Sequence, residues 1–282
     1  TEISDVRPTT LEQLRAQARL QLLGRERGEL LYELVPPPTD EPVRGLALLP
    51  EPSPLDLFFD IEADLWVADG GLEYLLGVLE APDGEPIYTA LWAHDRAAER
   101  RALEQFLDLV VERLDRDPTM HVYHYGGYES GALKRLVQRH QTREAELDRI
   151  LRAGVLVDLY TVVRTGLRIA TESYSLKAIE RLYLPAREGP VTEAGFSVLT
   201  YEAWLRDREP GHLADLAAYN RDDCVSTWRL RDWLEARRRE AVAAGWELPR
   251  PAIRSGEPSE AVATRDEATA AREEALRAGV PA

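Results

Sequence analysis

The segment Leu55-Asp56-Leu57-Phe58-Phe59-Asp60-Ile61-Glu62 follows a turn-forming Pro52-Ser53-Pro54 and runs mostly apolar until two acids, one residue apart, close it. A short apolar run bounded by turn residues reads as a buried strand. Side chains two apart on a strand share a face, so Asp60 and Glu62 project together while Ile61 points the other way. Two carboxylates on one buried strand repel each other and lose hydration unless something positive sits between them. A divalent metal is the usual solution. The plainer reading is a strand end whose acids reach solvent, and D-x-E alone leaves both open.

The chain has 282 residues, 44% of them hydrophobic, enough for one large domain or one domain with appendages. No apolar run approaches the roughly 20 residues of a membrane span, and no signal-peptide pattern opens the chain, so a cytoplasmic protein is expected. The start Thr1-Glu2-Ile3 lacks an initiator Met and reads as the beginning of an excised piece of something longer. A single cysteine, Cys224, excludes an internal disulfide and a cysteine zinc site. The net charge of −15 opposes tight autonomous binding to nucleic acid, which draws on a basic stripe. It leaves a nuclease open, because a site that holds metals must itself be acidic.

Three regions follow from the patterning. Residues 1–51 hold a helix over 9–23, with Thr10 and Gln13 as a capping box, and two short strands at 29–35 and 44–49 around Pro36-Pro37-Pro38. This piece is too small to own a core and is expected to pack on the main domain or to belong to a preceding one. Residues 52–245 form the main domain. After the Asp60 strand come strands at 74–79 and 86–92, then a helix at 96–114, a strand at 121–125, helices at 129–140 and 142–153, and a strand at 155–160. Helices at 176–182, 198–207 and 213–243 complete it, with an undecided loop at 189–196. Residues 246–282, rich in Pro, Ser, Ala, Glu and Arg, read as a linker or loosely helical tail. Three meander strands followed by alternating helices and strands predict an α/β fold with a mixed five-stranded sheet flanked by helices, in the order of a ribonuclease H-like domain.

On the last helix, at about 100° per residue, Leu213, Ala217, Asn220, Cys224 and Trp228 share one stripe, with Tyr219 and Asp223 side by side on its edge and Asp222 opposite. Asp223 should look into the domain and Asp222 toward solvent. Ordinary core packing for Tyr219 and a satisfied buried acid at Asp223 are the plainer alternative. Glu129 falls in the first turn of a helix after the Gly126-Gly127 turn, aimed at the strand ends; complementing the helix dipole is its plainer role. His121 and His124, three apart on one strand, make poor joint metal ligands, and His94 reads as structural.

Together, Asp60-Ile-Glu62, the segment His124 to Leu133 and Tyr219-x-x-x-Asp223 resemble the three motifs of the DEDD family of 3′-5′ exonucleases, tyrosine subgroup. One departure stands out: Glu129 occupies a place where the family usually has Asp. Val157-Asp158-Leu159 and Tyr174-Ser-Leu-Lys177 resemble the family's link between its second and third motifs. Gly71-Leu-Glu-Tyr-Leu-Leu-Gly77, Trp92-Ala-His-Asp and Tyr219-Asn-Arg-Asp-Asp-Cys224 narrow the likeness to the ribonuclease H-like domain of bacterial RecB-like nucleases. That domain lies between a RecB-like nuclease and a superfamily 1 helicase, and the similarity covers roughly residues 10 to 240. No helicase P-loop occurs in the sequence.

The resemblance implies two Mg²⁺ or Mn²⁺ ions, with Asp60 bridging, Glu62 and Asp223 completing the first and Glu129 holding the second through water. Hard oxygen ligands agree with those ions rather than zinc. Tyr219 would orient the attacking water. Lys177, Arg221 and Arg135 are candidate phosphate contacts; Lys177 and Lys134 are the chain's two lysines. The implied partners are nucleic acid, DNA before RNA, and helicase and RecB-like domains of the same or a larger protein, with no membrane. A non-catalytic module that positions DNA or partner domains is the competing reading, supported by the charge and by Glu129. A restriction-endonuclease-like core would need an E-x-K that Glu73-Tyr74-Leu75 does not supply.

Overall fold

The computed structural model describes residues 7–67, 70–185 and 195–278. Helix α1 (Pro8–Arg27) has Pro at its start and stops at Gly28, whose φ of 68° suits a residue without a Cβ. Strand β1 (Tyr32–Leu34) follows. The strand expected at 44–49 is instead a 3-10 turn, Gly45–Leu48. Its apolar residues do enter the core, since Leu46, Ala47 and Leu49 are at most 1% exposed. They enter it as a turn packed closely on the later segment at Gly166, where a Cβ at Gly45 would lie 2.6 Å from the Gly166 Cα. A short apolar run cannot by periodicity alone be told from such a buried turn.

The main sheet begins with an antiparallel meander of β2 (Leu57–Asp64), β3 (Leu72–Glu80) and β4 (Ile87–Trp92). Helix α2 (Arg96–Arg116) starts where Asp95 accepts a bond from the Ala98 N–H at 2.7 Å. Strand β5 (Val122–His124), helices α3 (Tyr128–His140) and α4 (Glu144–Ala153) and strand β6 (Leu156–Asp158) come next. The strand expected to reach residue 160 ends early because Asp158 turns cap, accepting from the Tyr160 N–H at 2.9 Å and starting helix α5 (Leu159–Gly166). Strand β7 (Leu167–Ile169), absent from the sequence reading, pairs antiparallel with β1. The remaining elements among the described residues are helices: α6 (Leu176–Ile179), which runs into a 3-10 turn at Glu180–Leu182, α7 (Phe196–Asp207), α8 (Pro210–Ala243) and α9 (Glu260–Arg277). The loop read at 189–196 lies outside the described residues as far as 194.

The five-stranded sheet runs β4-β3-β2-β5-β6, with β5 parallel to both its neighbours, the mixed order that the sequence predicts. Its central strand, β2, is covered on both faces. Phe59 and Ile61 face a cluster with Leu103, Phe106 and Leu133 of α2 and α3, the Phe59 and Phe106 rings stacking 4.0 Å apart. Phe58 faces the other way, into a cluster with Tyr123 and with Cys224, Trp228 and Leu230 of α8. Alternation along the strand therefore turns Asp60 and Glu62 toward α8. Among the described residues no helix is long and apolar enough to cross a membrane.

Candidate metal centre

Asp60, Glu62 and Asp223 each offer a carboxylate oxygen within 4.8 Å of the others. Two come from the alternation of β2 and the third from the phase of α8, which buries Asp223 at 9% exposure. Asp222, one residue earlier, keeps 46% of its side chain exposed and pairs with Arg221 at 2.9 Å. The acids sit beside a pocket of about 420 Å³ lined by Asp60, Asp223, Tyr125, Gly126, Tyr160 and Lys177, among others. A second cavity of about 410 Å³, around Met120, His121 and Arg250, opens at the opposite end of β5 and holds none of these acids.

The pocket rim is built by local hydrogen bonds. Gly126 turns the chain out of β5 at φ 104°, and its N–H donates to Asp158 at 2.8 Å. The Tyr125 hydroxyl donates to the Tyr174 carbonyl, holding down the loop that carries Ser175 and Lys177. Lys177 Nζ donates to the Tyr219 hydroxyl at 2.5 Å and lies 4.2 Å from the centre of its ring. The lysine thus reaches the acids' side of the pocket through the tyrosine one turn before Asp223.

Burial pushes the Asp60 carboxyl well above its usual range, and the charges of Glu62, Asp223 and Glu129 push the same way against Lys177. Glu62 is raised to about 7, chiefly by burial and also by Asp223, against hydrogen bonds from Ser197 and Asn220. A cation among these carboxyls would offset both the lost hydration and the mutual repulsion. Glu129 is close enough to act on Asp60 yet stands outside the three-acid cluster. It is 5% exposed, and its Oε2 has no hydrogen-bond partner, the nearest cation candidate being His124 Nδ1 at 3.4 Å. A buried carboxylate oxygen left without a donor, beside three acids with oxygen ligands to give, fits a hard divalent ion.

The three expected phosphate contacts separate. Lys177 is in the pocket. Arg135 reaches Glu73 at 3.2 Å and lies over the Tyr128 ring, outside the pocket lining. Arg221 turns to Asp222. His94, expected to be structural, stacks on Trp92 and bonds to the Tyr201 hydroxyl at 3.3 Å.

The helix stripe places Asn220 beside the apolar residues and assigns it no role. Its Nδ2 donates to Asp60 Oδ2 at 2.8 Å, and its Oδ1 accepts from the Tyr88 hydroxyl at 2.8 Å. The available signal was an amide in the middle of an apolar stripe, which has to find partners when buried. Ser197, in the first turn of α7, was not foreseen either, because its partner Glu62 is distant in sequence.

A family model described as the RNase H superfamily matches residues 57–235. No curated protein and no solved structure matches the chain.

Proposed function

The chain belongs to the RNase H superfamily, and from that premise we propose that it is a metal-dependent 3′-5′ exonuclease that cleaves phosphodiester bonds of DNA in preference to RNA. The superfamily points to a nucleic-acid hydrolase that uses divalent metals. The observation that carries the finer reading is the cluster of Asp60, Glu62 and Asp223 within 4.8 Å, with Tyr219 one helical turn before Asp223.

In this reading Asp60, Glu62 and Asp223 would hold one Mg²⁺ or Mn²⁺, and Asp60 and Glu129 a second. Two such ions, when bound, stabilise both the attacking and the leaving oxygen of an in-line phosphoryl displacement. The Tyr219 hydroxyl orients the attacking water. Lys177, which holds that hydroxyl in the absence of substrate, turns to a phosphate oxygen when a strand enters. Arg221, leaving the exposed Asp222, and Arg135, leaving the buried Glu73 that Arg139 also pairs, contact the backbone farther along. The partners we infer are nucleic acid and, by the likeness to RecB-like proteins, helicase and RecB-like nuclease domains that bring a strand to a protein whose net charge is −15.

The test is hydrolysis of single- and double-stranded DNA and RNA labelled at either end, with Mn²⁺ and with EDTA. The expected result is stepwise shortening from the 3′ end, dependent on Mn²⁺ and faster on DNA. Internal cuts or 5′ shortening would overturn the exonuclease assignment. One observation favours a second reading, a non-catalytic positioning module: Glu129 stands outside the three-acid cluster. Binding without cleavage of any of these substrates at high Mn²⁺ is the outcome that reading expects.

A further inference from the structure

We propose that Asn220 is the positioning residue of Asp60: its amide locks the carboxylate in the orientation that receives the cation, inside a slot that only a glycine at position 77 leaves open. The inference rests on the metal-site reading of Asp60. Asn220 is 0% exposed. Its Nδ2 donates to Asp60 Oδ2 at 2.8 Å and reaches the Asp60 backbone carbonyl at 3.4 Å. Its Oδ1 accepts from the Tyr88 hydroxyl at 2.8 Å. Asn220 also hydrogen-bonds Glu62. The ionised carboxylates can only accept and the Tyr88 hydroxyl is free to donate, so these partners together allow one orientation of the amide, with both its N–H groups toward the acids.

Gly77 pairs with Asp60 across the β2–β3 ladder. A Cβ there would lie 1.6 Å from Asn220 Oδ1 and 2.7 Å from its Cγ. Glycine inside a strand marks a close approach by another group, and here the group is this amide. The chemical choice also matters. A lysine or arginine in the slot would hold Asp60 equally well but would neutralise it, competing with the cation. An amide fixes one oxygen and leaves the charge in place. Because Tyr219, Asn220 and Asp223 ride on the same helix, the bond also ties the β2 acid to the element that carries the other functional groups.

A merely structural amide would be missed in stability and nowhere else. Supporting partners of metal ligands typically contribute about 10–100-fold to metal affinity. The experiment measures Mn²⁺ binding by the loss of the free-ion electron paramagnetic resonance signal, alongside melts in EDTA and steady-state kinetics. It uses the full chain, Asp60→Asn, Asn220→Ala, Tyr88→Phe, Gly77→Ala and the double variant Gly77→Ala/Asn220→Ala. Asn220→Ala should weaken Mn²⁺ binding by about 10–100-fold and lower kcat more than it raises KM for the nucleic acid. Tyr88→Phe, which removes only the hydroxyl, should weaken binding in the same direction by less and remain folded should Asn220→Ala not. Gly77→Ala should weaken binding in the parent chain and add little to Asn220→Ala, since the amide it displaces is already gone and only the Tyr88 ring, 3.1 Å from the added carbon, has to give.

The outcomes separate the two ideas. Wild type that binds no Mn²⁺, or Asp60→Asn that binds it as wild type does, removes the metal site and the inference with it. Wild type that binds, with Asp60→Asn impaired but folded Asn220→Ala and Tyr88→Phe both binding normally, overturns the positioning role alone.

Discussion

Asp222 and Asp223 are neighbours on α8 whose side chains part by about 100°: Asp223 is buried beside Asp60 and Glu62, and Asp222 is paired with Arg221 at the surface. One residue of helix phase separates a clustered, buried acid from a solvated one. If the proposed site holds the metal, Asp223→Ala and Asp60→Ala each remove one of its oxygen ligands and should each abolish hydrolysis. Asp222→Ala should stay near the wild-type rate, because an exposed ion pair contributes about 0–1 kcal/mol. Rates of the three variants on one labelled substrate decide it; equal loss at 222 and 223 would place the site elsewhere.

Tyr219→Phe should lower kcat by about 10²–10³-fold, the scale of one positioned polar group, and leave Mn²⁺ binding unchanged. The ring stays available to Lys177, which lies 4.2 Å from its centre, so only the hydroxyl is tested. Kinetics and Mn²⁺ titration on the same preparation separate the two effects. An unaltered rate would take Tyr219 out of the mechanism.

The facing of Asp60, Glu62 and Asp223 was legible because period 2 on a buried strand and period 3.6 on a long helix are steric facts that tertiary context rarely overrides. The mixed sheet was legible from the order of its elements. The turn at Gly45–Leu48 and the β1–β7 pair were not, for their apolar residues carry no period long enough to name a structure and their partners lie more than 100 residues away. Asn220 shows a different limit. Its position on the stripe could be computed, but its bond to Asp60 depends on the missing side chain of Gly77 across 143 residues of chain, which no local pattern records.

Glu129 Oε2 is buried without a donor, so removing its charge should change metal stoichiometry more than fold. Glu129→Gln should bind one Mn²⁺ where wild type binds two and should lose most of its activity. Glu129→Asp should keep two, with a weaker second site or a tighter one according to how the shorter arm meets the ion. Calorimetric titration with Mn²⁺ counts the sites. Two sites in Glu129→Gln would mean that this acid is a helix-terminus residue only.

Stability tests the site without substrate. Glu62 is raised from 4.5 to about 7 by burial, then by Asp223, so the native chain holds that proton more tightly than the unfolded one does. Its relative contribution is fully present below pH 4.5 and is lost as the pH rises through about 7. Asp60 is raised in the same direction. In EDTA the melting temperature should therefore fall between pH 5 and about 8, a window set by those shifts. Mn²⁺ should restore it most at the upper end, where the carboxylates are free to bind. A hundredfold excess over Kd adds about 2.7 kcal/mol, or several degrees. Asp60→Asn should melt higher than wild type in EDTA at pH 8, because it removes one charge while its side-chain oxygen still accepts from Asn220, and it should respond little to Mn²⁺. Function and stability would then oppose each other at this residue. An Asn variant that melts below wild type in EDTA and keeps its full Mn²⁺ response would make Asp60 a structural acid, and the charge crowding around it would need another explanation.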